Sequence, residues 1–367
     1  MTRLRTWLGI GAAVAVIALL LGLPTPKRPS HANATASTGP PTLVSVWPGA
    51  HPFTIPATFP DGSAYTPAVV LDATASVGVI ASSDGLRTDL ALVPDAGPPR
   101  VLQSQSVTDG GSFDGITASA ERVYWMHTIS DASGHAKTSV WTAPRAGGAS
   151  VELGADVGTP VFFGSQYDVQ VVGDRLEWAA SRPGQPDQTE LRSIPLAGGP
   201  VAVQVVPGAW ALSAWPWLVT APSASDEPTR LHNVETGAET TVRVPPDKQV
   251  TCSPVWCRTI PNNAAAPTET DLIRPDGSDL RVIGRAADAA IASDVALRDR
   301  FEVLMTMVTT TGQLAISKLA LYDIATSRTV QIDGAATNAG ARGDFLWWST
   351  GDNETLAWHG LDLRTLT

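Results

Sequence analysis

Residues 122–153 read RVYWMHTISDASGHAKTSVWTAPRAGGASVEL, and this stretch decides the fold. It opens on an apolar run rich in Val, Tyr and Trp, passes through a polar loop and returns as the alternating segment SVWTAP. Gly147 and Gly148 then supply a turn, and a further short strand begins at Val151. Tight hairpins need backbone with φ > 0, which glycine adopts without steric cost. Connections this short join antiparallel strands and leave no room for helices.

The same phrase recurs along the chain. The apolar run returns as SVGVIAS from Ser76, RLEWA from Arg175, PWLVT from Pro216, PVWCR from Pro254, RFEVLM from Arg300 and DFLWWS from Asp344. The turn returns as LVPDAGPPRVL from Leu92, IPLAGGPVAV from Ile194, NVETGAETTV from Asn233, IRPDGSDLRV from Ile273 and YDIATSRTVQI from Tyr322. Intervals of roughly 40–50 residues are those of four-stranded propeller blades. Continuous apolar runs such as VYW and LWW suit strands covered on both faces. The expectation is an all-β chain whose residues 41–367 form a seven-bladed β-propeller, with six blades as the alternative.

The chain ends sharpen this. The seventh copy has strands near Asn338, Phe345 and Thr355–Asp362, and the chain stops at Thr367 with too little left for a fourth. Pro41–Pro48 (PTLVSVWP) is a strand-like segment with no place in the first copy. Its pairing into the last blade would close the ring and remove an exposed edge.

The blade phrase resembles TolB-like and other YWTD-type β-propellers, and is most similar to an actinobacterial membrane-anchored family of such proteins. The resemblance rests on Trp125, Gly147, Gly148, Trp178, Gly198 and Gly199, with the opening VWPGAHPFTIPATFPDG from Val46. These are structural positions, so the resemblance implies a fold and carries over no catalytic residue. The separate α/β domain that precedes the propeller in classical TolB has no counterpart here, which weighs against a Tol-type translocation role.

Residues 1–24 give the address. Arg3 and Arg5 precede Trp7–Leu23, an apolar run of 17 residues without charge. As a helix it would reach roughly 25 Å, enough for a bilayer core. Lys27, Arg28 and a Pro/Ser/Thr/Ala-rich spacer over residues 25–40 follow. The run reads as an uncleaved single-pass anchor that leaves the bulk of the chain extracytoplasmic. The alternative is a signal cleaved after Ala32-Asn33-Ala34, giving a secreted protein. No cysteine near the end of the run offers a lipidation site.

Composition narrows the partners. Of 25 basic and 35 acidic residues, four basic ones lie before residue 41, leaving 21 − 35 = −14 on the remainder. A surface so acidic opposes binding to nucleic acid or anionic lipid. Membrane contact is expected through the N-terminal helix alone.

Candidate chemistry is sparse. The histidines His31, His51, His127, His135, His232 and His359 fall in different repeats without zinc spacing. No G-x-S-x-G elbow occurs, and no acid pair is singled out for glycosidase work. The turns holding Asp109 and Asp114, or Asp352, lack the register of a calcium loop. No catalytic, cofactor or metal residue is therefore assigned. Trp125, Trp178, Trp256 and Trp347 recur at one place in the repeat and read as blade core, with Trp348 beside them. Trp210, Trp215 and Trp217 are denser than packing requires, yet core remains the better reading. Cys252 and Cys257, the only cysteines, flank Ser-Pro-Val-Trp and are expected to form a disulfide in an oxidising compartment.

These residues describe a binding or interaction module that takes a protein or small-molecule ligand on one propeller face. The polar loops at 129–137, 181–188, 222–228 and 261–267 would emerge together there. The alternatives are a hydrolase with acids or histidines such as His127, Asp131 and His135 converging at the channel, and a TolB-like partner in envelope transport.

Overall fold

Apolar residues on both faces of the repeated strands require each sheet to have a neighbour on either side. The computed structural model meets that requirement with a ring. It describes residues 39–130, 133–221, 228–245, 247–261, 269–285, 288–290, 294–308, 316–352 and 354–367, with backbone only at 288 and 289. The anchor expected over residues 1–24 and nearly all of the 25–40 spacer lie outside them. Among the described residues no helix is long and apolar enough to cross a membrane.

Hydrogen bonding divides the strands into six antiparallel sheets, so the chain is a six-bladed propeller by sheet count. Sheet I holds Ala64–Asp72, Ala75–Ala81, Arg87–Pro94 and Arg100–Ser106. Sheet II holds Ser112–Ala118, Arg122–Ser130, Ala136–Pro144 and Val151–Gly154. In sheet III the first strand is split into Thr159–Pro160 and Val169–Val172, followed by Arg175–Arg182, Gln185–Pro195 and Ala202–Pro207. Sheet IV holds Trp210–Leu212, Trp217–Thr220, Arg230–Asn233 and Glu239–Thr241. Sheet V holds Lys248–Cys252, Cys257–Pro261, Glu269–Ile273 and Arg281–Arg285.

Sheet VI corrects the expectation of seven blades. It has seven strands: Asp288–Ala290, Phe301–Val308, Ile316–Asp323, Arg328–Arg342, Phe345–Thr350, Ala357–Asp362 and, from the start of the domain, Phe53–Ile55. The sixth and seventh sequence repeats share Arg328–Arg342. Its first half pairs with Ile316–Asp323 and its second with Phe345–Thr350. No loop separates the two roles, only a register shift between Ala336 and Asn338. The two halves of the sheet nonetheless pack together, because Val303, Leu319, Leu321 and Val330 share a cluster with Leu346, Trp348 and Leu361.

Side-chain packing completes the circle. Apolar clusters join sheet I to II, II to III, III to IV, IV to V and V to VI. A further cluster joins the end of sheet VI back to I through Phe345, Trp347, Trp358, Tyr65 and Val93. The first strand of sheet II touches the first strands of sheets I and III, as strands lining the interior do.

The closing strand is Phe53–Ile55 and not the expected Pro41–Pro48. Phe53 pairs with Gly360, Thr54 with His359 and Ile55 with Trp358. Gly360 makes room for this pairing, because a Cβ on it would lie 2.3 Å from the Phe53 ring and force that ring to move. Upstream, Thr42 makes a single bridge to Gln331 and the chain then turns through the one-turn helix Leu43–Val46. Helical spacing of four puts Leu43 and Trp47 on one side, and both are buried in sheet VI's cluster, Trp47 edge-on to Phe301.

The tryptophans occupy the junctions. Trp125 faces sheet I and donates from Nε1 to Gln103 Oε1 at 2.6 Å. Trp178 faces sheet II and donates to the Val157 carbonyl at 3.0 Å. Trp256 and Trp347 face the other way, toward the following sheet. Trp256 also lies beneath the Arg274 guanidinium, 3.6 Å from the ring centroid. Trp210 is buried against sheet III, while Trp215 and Trp217 are half-buried.

Cys252 and Cys257 are directly opposed across the hairpin that opens sheet V, with their sulfurs 2.07 Å apart. Both lie in the cluster between sheets IV and V.

Truncating a fully buried tryptophan leaves a large void, and Trp125→Ala also strands the Gln103 amide oxygen. We expect a loss of about 3–5 kcal/mol, measured as the shift in chemical unfolding of the purified domain. A loss below about 1 kcal/mol would mean that the junction collapses around the gap.

Candidate functional site

The chain departs from the repeat most sharply within the first strand of sheet III. Thr159–Pro160 pairs with Ala180 and Ser181, and Val169–Val172 pairs with Trp178 through Arg175. Between them residues 162–168 (FFGSQYD) leave the sheet and enter the ring's interior. Asp168 ties this excursion at its base, because its Oδ2 accepts from the backbone N–H groups of Phe163 at 2.9 Å and Ser165 at 3.0 Å.

The tip crosses to sheet VI. Ser165 Oγ donates to Asp294 Oδ1 at 2.5 Å, and the Gln166 backbone N–H donates to Asp294 Oδ2 at 3.0 Å. Arg342 donates to the Gln166 carbonyl at 3.0 Å, and the Gly343 N–H donates to the Gln166 side-chain oxygen at 2.7 Å. Toward sheet IV, Gln170 donates to the Ser213 carbonyl at 2.8 Å and accepts from the Trp215 N–H at 3.2 Å.

The turn that receives the tip is strained. Ala296, Arg298 and Asp299 all have φ between 53° and 56°, a left-handed region that side chains with a Cβ seldom occupy. Glu302 braces this turn, with Oε1 accepting from the Ala296 N–H at 2.6 Å and Oε2 from Arg258 at 3.0 Å.

Burial dominates the electrostatics. It pushes the Asp168 carboxyl up to about 6, against the pull of its backbone donors and Arg342. Burial likewise raises Asp294 and Glu302, opposed at Asp294 chiefly by the bond from Ser165 and at Glu302 by the charge of Arg258. Tyr167 is pushed up to about 12 by burial and by the negative charge of Asp294. Burial lowers Arg342, while Asp294 and Asp168 hold its charge.

Raised carboxyl pKa values gathered in one place are a usual mark of an active site. Here most of the carboxylate oxygens already have partners in the protein. Both oxygens of Asp294, both of Glu302 and one of Asp168 accept hydrogen bonds from the protein itself. Among the described residues the cluster braces backbone on both sides of the excursion.

The residues singled out in sequence stay apart. His127 is stacked on Phe113 at 5.0 Å and bonded through both ring nitrogens to Gln103 and Gln105. Burial lowers its pKa and favours the neutral ring. His232 stacks on Trp210 and His359 on Trp348. His51 and His135 are exposed, while His31 and Asp131 lie outside the described residues. Among the described residues no three His, Cys, Asp or Glu side chains are grouped to hold a metal ion. Asp109 accepts from the Ser106 N–H and Asp352 from Glu354 and Thr355, so each organises its own turn, while Asp114 accepts from Ser112 within their strand.

Sequence reasoning missed the excursion because GSQYD reads as an ordinary polar turn. The available signal was the length of the connection from Gly154 to Arg175, which exceeds what one inner strand needs.

No protein-family model matches the chain, and no curated protein matches it in sequence. Among solved structures it is similar to a puromycin-hydrolyzing peptidase of Mycobacterium tuberculosis, with 15% identity and a TM-score of 0.48 over 90% of this chain and 54% of the peptidase. It is similar to the WD40 domain of SCAP from fission yeast, with 8% identity and a TM-score of 0.48 over 87% of this chain and 100% of that one. The β-propeller domain of the Trilobed protease from Pyrococcus furiosus shows 10% identity and a TM-score of 0.42, over 68% of this chain and 80% of that one. The chain is a β-propeller. The particular likeness to TolB-like propellers rests on the sequence phrase alone.

The raised carboxyl of Asp168 makes a pH prediction with a definite sign. In the unfolded chain its proton leaves near pH 4, whereas in the folded chain it is held to about 6. The folded state thus binds the extra proton between those values, and stability falls as pH rises through that window. Relative to Asp168→Asn, the natural protein should gain on the order of 2–3 kcal/mol when pH drops from about 7 to about 4. Unfolding curves of both proteins at the two pH values test this, and a difference that does not change with pH would contradict it.

Proposed function

We propose that the chain is a membrane-tethered, extracytoplasmic propeller that binds a protein or small-molecule ligand through the face carrying its second-to-third strand connections. The observation that carries this reading is a division of labour between the two ends of the ring. Antiparallel order puts every first-to-second turn at one end and every second-to-third connection at the other. The turns at Asp294, Arg342–Gly343 and Ser213–Trp215 are joined by the excursion, so charged groups at that end serve to hold the fold together. The opposite end offers exposed polar residues, among them Ser133–Lys137 and the Pro183-Gly184 hairpin with Pro186 and Asp187. Loops on a rigid scaffold are the usual carriers of recognition.

A hydrolase would need a free base or nucleophile facing the channel, and the carboxylates that converge there accept hydrogen bonds from the fold. A role beside an envelope transporter rests on the TolB-like phrase and the charge-flanked apolar run at Trp7–Leu23. That run, with the Cys252–Cys257 pair, supports an oxidising location outside the cytoplasm.

Replacement of residues 130–136, 221–229 and 261–268 by short Gly/Ser segments, with the 182–187 hairpin shortened, tests the reading. Loop length changes closure entropy only slightly, so the melt should stay cooperative and within a few degrees of the natural protein. Co-purification from solubilised membranes should then lose the ligand recovered with the natural chain. Retention of that ligand by the grafted protein, or unfolding caused by the grafts, would overturn the proposal.

A further inference from the structure

We propose that residues 162–168 form a strap that bars the channel at the turn-side end and serves the ring as a second clasp. In this role it holds sheet III to sheet VI across the interior, independently of the Phe53–Ile55 pairing. Four cross-ring hydrogen bonds carry the proposal: Ser165 and Gln166 to Asp294, Arg342 to the Gln166 carbonyl, and Gly343 to the Gln166 side chain. These partners are separated by more than 120 positions in the chain, 129 for Ser165–Asp294 and 177 for Gln166–Gly343. Among the described residues sheets III and VI share no apolar cluster, so these contacts hold them together directly rather than through neighbouring blades.

Three further features fit a clasp better than a surface loop. Asp294 is buried and presents both oxygens to the strap. The Ala296–Asp299 turn that carries it is held in left-handed geometry by Glu302 and Arg258, and such strain persists only where surrounding contacts over-determine it. At the strap's base, Gly115 leaves no room for a side chain, since a Cβ there would lie 2.3 Å from Val169 and 3.3 Å from Phe162. The strap is thus anchored against sheet II, tied through Gln170 to sheet IV and seated on sheet VI.

A consequence is that anything entering the channel must do so from the recognition face. The strap would act as its floor.

Amide hydrogen exchange on the full-length protein tests the proposal. Gly343 is an exposed turn residue whose N–H has the Gln166 side chain as its acceptor. In the natural protein the Gln166 and Gly343 amides should be protected to a degree comparable with sheet amides. Exchange of both at the rate of an open loop would overturn the proposal. In Gln166→Ala, which deletes the Gly343 acceptor and leaves the backbone contacts, protection at Gly343 should fall at least about tenfold. Residues 294–300 should also exchange faster, while sheet I stays unchanged. Unaltered exchange at 294–300 would reduce the strap to a local loop and likewise overturn the proposal.

Discussion

The structure depends on burying two faces of every sheet. A four-stranded sheet with apolar residues on both sides is stable only between two neighbours, and a linear array always leaves two end faces in water. The ring removes both ends at once, and it can do so only where the chain's beginning meets its end. Phe53–Ile55 supplies the last strand beside Ala357–Asp362, and Trp358 Nε1 donates to the Tyr65 carbonyl of sheet I at 2.9 Å. Gly360 permits this approach by leaving room for the Phe53 ring. The whole set of inter-sheet clusters is then continuous.

With the perimeter closed by strands and packing, the interior is tied by polar contacts. Burying carboxylates is costly unless each is hydrogen-bonded or paired, and the strap region satisfies that condition group by group. Asp168 is held by backbone donors, Asp294 by Ser165 and Gln166, and Glu302 by Ala296 and Arg258. The elevated carboxyl pKa values record how far these groups have been taken out of water. They accompany a structural role, since both oxygens of Asp294 and of Glu302 and one of Asp168 accept hydrogen bonds from the protein.

How much of this was legible in the sequence follows from the range of each interaction. The meanders could be read because their cues are local: apolar runs of four or five residues, and turns such as Gly147-Gly148 and Asp276-Gly277 at fixed offsets. The positions of Trp125 and Trp178 followed from the same repetition. Closure was legible in kind and misplaced in detail. LVSV alternates like a strand, but Leu43 and Trp47 are better buried from one helical turn, and the pairing fell to Phe53–Ile55. The fusion of two repeats through Arg328–Arg342 was hidden, because a seven-copy count does not reveal that one strand serves two of them. The strap's existence was signalled only by the long connection from Gly154 to Arg175, and its destination was hidden. Its partners Asp294, Arg342 and Gly343 are more than a hundred residues away, and nothing in GSQYD announces them.

The central claim is that the fold stands on closure between Phe53–Ile55 and Ala357–Asp362. Substituting Gly360→Val in the full-length chain tests it most directly, because the new Cβ would collide with the Phe53 ring at the seam. Thermal unfolding followed by tryptophan fluorescence should show a midpoint several degrees lower, with faster amide exchange in Phe345–Thr350 and in sheet I on the two sides of the seam. A midpoint and an exchange pattern unchanged from those of the natural protein would contradict the account, since the ring would then be holding without its clasp.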